Sequence, residues 1–530
     1  MKKSIILLLV CIILSMAACA SARQATSAGN SIEGKVVGSK GNPVAGAMVT
    51  AHRVGGVLTI SVFTNKSGQY RIEDVKAGKY SIRASYDGFQ SPPLEVDPKL
   101  SSPPYNLSLE AQRHPYVTGA QAISLIPDGL EKRRFVQNCF MCHAIGMSGT
   151  AFEGTNEPEF WLGAIDRMVT GRGAFLSPDF NRKEQALLLA KYLPPNPEPD
   201  LPSSAPPVTD VIIYEFDPPK PDFYPHDICV DSKSRIWAAD MGNDVLEMLD
   251  PKTEEWKLYP YPVKKAGAHS IIESPDGKIW IVLQVANQIA SFDPSTEEFR
   301  LYRVPDPGKM SIGPRPHTHV FDSKGNLWYT EIAANRVSKL EPKTGHITVY
   351  DLPEQPDLFR DSFWLWPYGI AIDSQDSIYY SKLGGNRIGK IDSSSGKIEE
   401  YEMPIPYSGP RRLDTDSKGN LWVPAFTIGK LYRFDPQTKQ FKEFQILTTN
   451  SAPYALYVDK KKDRVYICEA AADRIGVFDI AAETFSEVLL PSQFGYTRKI
   501  DQDKNTGMIW TSYSQSPTKH NKVVGIRFTK

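Results

Sequence analysis

A unit of 40–50 residues recurs along the last three-fifths of the chain, and nothing else constrains the fold as tightly. The clearest copy, residues 316–350, reads PHTHVFDSKGNLWYTEIAANRVSKLEPKTGHITVY. The runs VFD, LWYTE, VSKLE and HITVY are rich in β-branched and aromatic residues, and SKGN and PKTG separate them as turns. Each copy thus predicts four short strands. Measured on the aromatic of the second strand, the copies carry Trp237, Trp280, Trp328, Tyr379, Trp422, Tyr466 and Trp510, at spacings of 43, 48, 51, 43, 44 and 44 residues. Four strands at this period predict a β-propeller, and seven copies predict seven blades. The last copy ends at GIRFTK without an outer strand, while IIYEFDP stands before the first copy at 212–218. That N-terminal strand is expected to complete the last blade and close the ring without an open edge.

The recurring pattern P-H/Y-x-I-x-x-D-x-x-G-x-L/I-W resembles the propeller of the virginiamycin B lyase family over residues 208–530. The resemblance implies the fold. It does not by itself imply the reaction, because propellers carry many unrelated activities.

The chain is 530 residues long, enough for several domains, and 42 prolines and 37 glycines suit a turn-rich β protein. The formal net charge is zero, which excludes the basic surface that a nucleic-acid partner needs. Residues 1–22 read as an export signal: Lys2 and Lys3, an apolar run over 5–14, then small residues. Two cleavage readings stay open. Ala20-Ser21-Ala22 suits ordinary cleavage, whereas Met16-Ala17-Ala18-Cys19 resembles a lipobox and would leave a lipid on Cys19 as a membrane anchor. Either places the protein in the periplasm.

Residues 31–110 alternate apolar and polar positions between glycine turns at Gly41-Asn42-Pro43 and Gly78-Lys79. With Gly34, Gly46-Ala47, Gly68-Gln69-Tyr70 and Gly88-Phe89, they resemble the carboxypeptidase regulatory-like domain, which implies a transthyretin-like β-sandwich. Having no cluster of His, Cys and carboxylates, it is expected to act as a spacer or adhesive module. Residues 194–207 hold seven prolines and predict a semi-rigid linker that keeps the preceding segment near the propeller but off it.

Residues 112–193 contain Cys139-Phe140-Met141-Cys142-His143, the CxxCH attachment sequence of c-type haem. Two thiols at this spacing reach the two vinyl groups on one porphyrin edge, and the next residue brings an imidazole to the iron. No second CxxC completes a zinc site. Short helices are expected over 130–138 and 182–193, so the segment resembles a small cytochrome c with one covalent haem on Cys139, Cys142 and His143. For the sixth iron ligand, Met168, on one predicted helix face with Trp161 and Ile165, is preferred. Met147 and another or absent ligand remain alternatives.

In each propeller unit, the residue starting the first strand and the one ending the second lie at the same end of the channel. The first set reads His226, His269, His317, Tyr368, Arg411, Tyr454 and Arg498; the second reads Asp240, Leu283, Glu331, Lys382, Ala425, Glu469 and Tyr513. Three of the nine histidines fall on one register. The lyase resemblance implies that His269 contacts substrate, that His317 is the general base and that Glu331 helps hold a divalent cation. The family's second glutamate, two residues before the base, is Arg315 here, which puts that cation in doubt. His226, Tyr368, Arg411, Tyr454 and Arg498 are expected to bind the substrate, the guanidiniums suiting an anion. Cys229 and Cys468 are expected to be buried thiols rather than a disulfide.

The chain is therefore expected to be mainly β, a seven-bladed propeller preceded by a β-sandwich and a small helical cytochrome domain. Its leading functional reading is an exported haem c oxidoreductase or electron-transfer protein, served by a redox partner protein or a small electron carrier, with a small substrate in the channel. A redox-neutral carbon–oxygen lyase is the second reading and a docking module with a haem wire the third.

Overall fold

The computed structural model describes residues 30–112, 117–140, 157–172, 176–193, 207–308, 312–358, 362–515 and 521–529. The export signal with Cys19, the motif residues Cys142 and His143, Met147 and most of the proline-rich stretch lie outside the described residues.

The recurring unit folds as anticipated, into four antiparallel strands. Six separate four-stranded sheets follow one another from Pro225–Val230 to Thr484–Leu489. In four of the seven units an aspartate and the aromatic explain the hairpin between the first two strands. Asp231 accepts the backbone N–H groups of Lys233 and Arg235 through one oxygen and the Trp237 indole N–H, at 2.8 Å, through the other. Asp322 with Trp328 and Asp416 with Trp422 repeat this at 2.9 and 3.0 Å, and Asp373 with the Tyr379 hydroxyl at 3.2 Å. One carboxylate thereby caps a turn and fixes a large ring in the core between sheets.

The remaining propeller strands, Thr497–Gln502, Ile509–Tyr513 and Val523–Phe528, are completed by Val211–Phe216, which pairs antiparallel with Val523–Phe528 from Val211↔Phe528 to Phe216↔Val523. The N-terminal strand thus supplies the outer strand that the last unit lacks.

The structure departs from expectation at this strand's other edge. Leu58–Phe63 of the N-terminal β domain pairs with Val211–Phe216, Ile213 opposite Ser61, so that domain and the last propeller sheet form one ten-stranded sheet. The β domain is therefore not a free spacer. Two edge strands would each leave a row of unpaired N–H and C=O groups, and joining them satisfies both. Glu254, on the turn after Val245–Asp250, adds ion pairs to Arg53 and Lys76.

Among the described residues four helices lie between the β domain and the propeller: α1 (Gly119–Ser124), α2 (Leu130–Cys139), α3 (Pro158–Arg172) and α4 (Arg182–Tyr192). Thr118 and Gln121 form a capping box on α1, and Asn181 caps α4 by accepting the N–H groups of Lys183 and Glu184. Here too an expectation is corrected. The proline-rich stretch does not hold this segment off the propeller, because one continuous apolar core joins Ile123, Phe135, Phe140, Trp161 and Leu189 to Tyr368, Phe426, Tyr454 and Tyr496. Helices this short cannot bury their apolar faces among themselves, and the propeller supplies the missing surface.

Candidate functional site

Each propeller sheet begins with an irregularity. The pairing register slips between Pro225 and Asp227, Ala268 and Ile271, Pro316 and His319, Pro367 and Ile370, Pro453 and Leu456, and Thr497 and Ile500, and in the fifth sheet between the isolated bridge Pro410↔Ala425 and the pair Asp414↔Trp422. A bulge interrupts the strict alternation of sides, so two consecutive side chains can approach the axis. This builds the site.

The first-strand residues come together as an aromatic stack. The rings of His226 and His269 are 3.6 Å apart, His269 and His317 4.0 Å, and His317 and Tyr368 4.0 Å. The Tyr368 and Tyr454 hydroxyls share a hydrogen bond, and Tyr454 meets Tyr496 edge-on at 5.9 Å. Three guanidiniums surround the tyrosines. Arg411 lies 5.1 Å from the Tyr368 ring, 4.1 Å from Tyr454 and 3.7 Å from Phe426; Arg498 lies 5.4 Å from Tyr454 and donates to its hydroxyl at 3.3 Å. All seven first-strand residues are buried, Arg411 completely.

Two residues that sequence reasoning missed complete the cluster. Asp227 and Arg412, each one position after an expected site residue, form a buried ion pair at 2.6 Å, and Asp227 also bonds His226 Nδ1 at 2.9 Å. A period-two strand would send both outward; the bulge turns them inward. The signal available was their charge in otherwise apolar strands.

Contacts assign the imidazole roles. His317 Nδ1 lies 2.8 Å from Thr318 Oγ1, which can donate or accept, and 3.1 Å from the Tyr368 carbonyl, which can only accept; a proton on Nδ1 satisfies both contacts and leaves the lone pair on Nε2. His226 likewise donates from Nδ1 to Asp227. His269 Nδ1 faces Arg412 Nη2 at 3.5 Å and so accepts. Burial pushes His226 down to about 3, against the pull of Asp227. His269 and His317 are also held well below the usual imidazole range, by burial first and then by neighbouring His and Arg412 charge. All three are neutral at physiological pH.

The second-strand residues do not join this cluster. Glu331 Oε1 accepts from Ser338 Oγ at 2.5 Å, and Glu331 Oε2 is buried without a hydrogen-bond partner. Burial raises its carboxyl to about 7, with Arg336 and Asp351 as its charged neighbours, whereas those of His317 are Arg412, His226 and Asp227. Asp240 is used up capping a turn through the N–H groups of Gly242, Asn243 and Tyr224. Among the described residues no three His, Cys, Asp or Glu side chains converge as metal ligands. Glu331, with Arg315 at the position of a second carboxylate, does not fit a cation held by two acids.

The helical segment covers the end of the channel where the first strands begin. Tyr496 donates its hydroxyl to the Phe140 carbonyl, Ala120 N–H to the Ala471 carbonyl at 2.7 Å and Arg133 to the Pro406 carbonyl at 3.0 Å. Asp179 accepts from both Arg134 and Tyr407. Cys139, the first residue of the CxxCH motif, ends α2 against the shared apolar core. Phe135, Val136, Phe140, Trp161 and Ile165 are buried in that same core. Trp161 and Ile165 are buried, whereas Met168, on the same helix, is 39% exposed. At the channel's other end a cavity of about 500 Å³ is lined by Thr318, His319, Arg412, Asp414, Tyr457 and Lys499 among others. Arg412 thus links that cavity to the histidine stack. Cys229 and Cys468 are buried and not bonded to each other.

Residues 208–434 match the virginiamycin B lyase family model, and residues 31–110 match the carboxypeptidase regulatory-like domain. Solved structures agree on the propeller fold. A streptogramin B lyase is 24% identical with a TM-score of 0.52, over 60% of this chain and 97% of its own. Virginiamycin B lyase from Staphylococcus aureus is 22% identical with a TM-score of 0.51, over 60% of this chain and 99% of its own. A catalytically inactive histidine-to-alanine variant of that enzyme with quinupristin gives 22% and 0.52, over 60% and 99%. No curated protein matches the chain. Residues 208–434 are thus similar to the virginiamycin B lyase family and residues 31–110 to the carboxypeptidase regulatory-like domain, with a helical segment between them that neither match covers.

Proposed function

We propose that this is an exported haem c protein in which a small anion binds in the propeller channel and electrons pass at the end covered by the helical segment. The seven sheets are read as seven blades of a closed ring. The observation that carries the reading is the seat of α2: Phe140, directly after Cys139, accepts the Tyr496 hydroxyl, and Tyr496 packs on Tyr454 of the channel. A CxxCH motif thus begins at the channel mouth rather than on a remote tether. Cys139, Cys142 and His143 would hold the haem, which supplies one-electron transfer when bound. Arg411 and Arg498 anchor the anion, the neutral His317 accepts a proton at Nε2, and the α2 seat excludes water from that end. A redox partner protein or small electron carrier takes the electron onward. Among the described residues no helix is long and apolar enough to cross a membrane; a lipid on Cys19 would supply the anchor.

The test is a haem-stained denaturing gel of full-length protein made with the attachment machinery present. Covalent stain at full length, lost in Cys139→Ala with Cys142→Ala, supports the reading; no stain in the wild-type overturns it. A second reading, a carbon–oxygen lyase with His317 as base, is favoured by the His317 tautomer and the family match. Lyase activity that survives in the double cysteine variant would select it. A docking module would show neither activity.

A further inference from the structure

Arg411 poses a problem of charge. Its guanidinium is completely buried; Nη1 donates to the Tyr368 hydroxyl at 3.1 Å, while Nε and Nη2 have no hydrogen-bond partner. It forms no ion pair among the described residues, and its neighbours are the rings of Tyr368, Phe426 and Tyr454. Burying a guanidinium without a counter-charge costs several kcal/mol. The one buried carboxylate of the cluster, Asp227, already serves Arg412 through both oxygens. The groups placed to take a negative charge beside Arg411 are the two hydroxyls that bond each other, Tyr368 and Tyr454.

We infer that the Tyr368–Tyr454 pair carries one negative charge, with one proton between two phenol oxygens, and serves as a second proton acceptor in the channel beside His317. The inference deepens the proposed function, since it rests on the same channel being the ligand site. Tyr454 is the oxygen that bears the charge. Arg411, Arg412 and Arg498 lie 4.1, 5.7 and 5.4 Å from its ring, and the Tyr368 hydroxyl shares a hydrogen bond with it in which Tyr368 is then the donor. The other groups facing the pair are the neutral His317, which stacks on Tyr368, and Tyr496. Burial alone would push Tyr454 up, but Arg498, Arg411 and Arg412 together hold it below the usual phenol range. Tyr368 is driven well above that range, by burial first and by Tyr454. The two directions are those of an acceptor and its donor.

The chemistry balances without an oxidant. A ligand X–H in the channel gives its proton to Tyr454: the X–H bond breaks, the O–H bond forms, and the electron pair stays on X. The negative charge moves from the pair to X, still beside Arg411. A ligand that arrives already anionic replaces the phenolate as counter-charge, so its binding takes up one proton.

The experiment is ultraviolet difference absorbance of tyrosinate on the full-length, haem-loaded protein, with formate as the anion probe. Wild-type minus Tyr454→Phe should show one tyrosinate per chain at neutral pH. Arg411→Gln should reduce the tyrosinate-to-phenol ratio about tenfold, the effect of one pK unit. Saturating formate should abolish the band and take up one proton per chain. Should Tyr454→Phe not fold, the wild-type titration with and without formate decides alone. A band that emerges only in the ordinary alkaline range of phenols overturns the inference. If formate nevertheless binds once per chain, the anion site of the proposed function stands without the phenolate; if it does not bind, both fall.

Discussion

The hydroxyl of Tyr496 donates to the carbonyl of Phe140, joining two residues 356 positions apart. This contact ties the helical segment to the rim of the propeller. It also places the start of the CxxCH motif beside the aromatic stack that runs from Tyr496 through Tyr454 and Tyr368 to the three histidines.

Removing that tie should loosen the seat without unfolding either part. Tyr496→Phe keeps the ring and its packing on Tyr454 but leaves the Phe140 carbonyl without this donor. A loss of about 1 kcal/mol is expected. Limited proteolysis should cut within residues 112–193 faster, with the propeller fragment unchanged. Unchanged cleavage would mean that apolar packing alone holds the segment.

Met168→Ala tests the sixth haem ligand. If the thioether binds iron, the variant loses the spectral signature of methionine ligation and its potential falls. The side chain is 39% exposed, so truncation should cost little stability. An unchanged spectrum and potential would move the ligand elsewhere.

His317→Ala and Arg411→Ala should separate chemistry from binding. The first removes the Nε2 acceptor and should lower turnover at least a hundredfold, the usual range for a proton-transfer group, with little change in ligand affinity. The second removes the anion anchor and should mainly weaken binding. Melting curves must accompany both, because both side chains are buried. Full binding and activity in both folded variants would make the channel a structural feature.

The contributions of Glu331 and Glu247 to stability should fall as pH rises from about 4.5 to 7, opposite in sign to that of the buried neutral histidines, which grows as pH rises toward the unfolded imidazole value. Burial raises Glu331 to about 7 and Glu247 to about 8, so the folded state keeps protons that the unfolded chain releases. The contribution is complete below the unfolded carboxyl range and is lost as pH climbs through the folded values. For Glu331 the shift corresponds to roughly 3 kcal/mol at most. Glu331→Gln should make the slope of the stability–pH curve more positive than in the wild-type, measured by denaturant unfolding across the window. A curve of the same slope would show that Glu331 ionises as an ordinary carboxylate.

Much of this protein is legible in its sequence because the signals are local. The spacing from aspartate to aromatic sets a hairpin and a core ring within seven residues in four units, and the recurring aromatic lets the copies be counted directly. The outer strand missing from the last copy pointed to residues 212–218, and Val211–Phe216 stands there. The register of first-strand residues predicted which side chains share the channel. Asp227 and Arg412 escaped that reading, since a bulge defeats the period-two rule that the register assumes. Glu331 shares an end of the repeat with His317, yet it turns to Ser338, because strand register specifies a level along the axis and not the direction of a side chain. The docking of the helices on the channel and the addition of Leu58–Phe63 to the last sheet were decided by tertiary structure alone. Both arise from surface that a segment cannot satisfy by itself, an apolar helix face in one case and an unpaired strand edge in the other, and only the assembled fold determines what covers it.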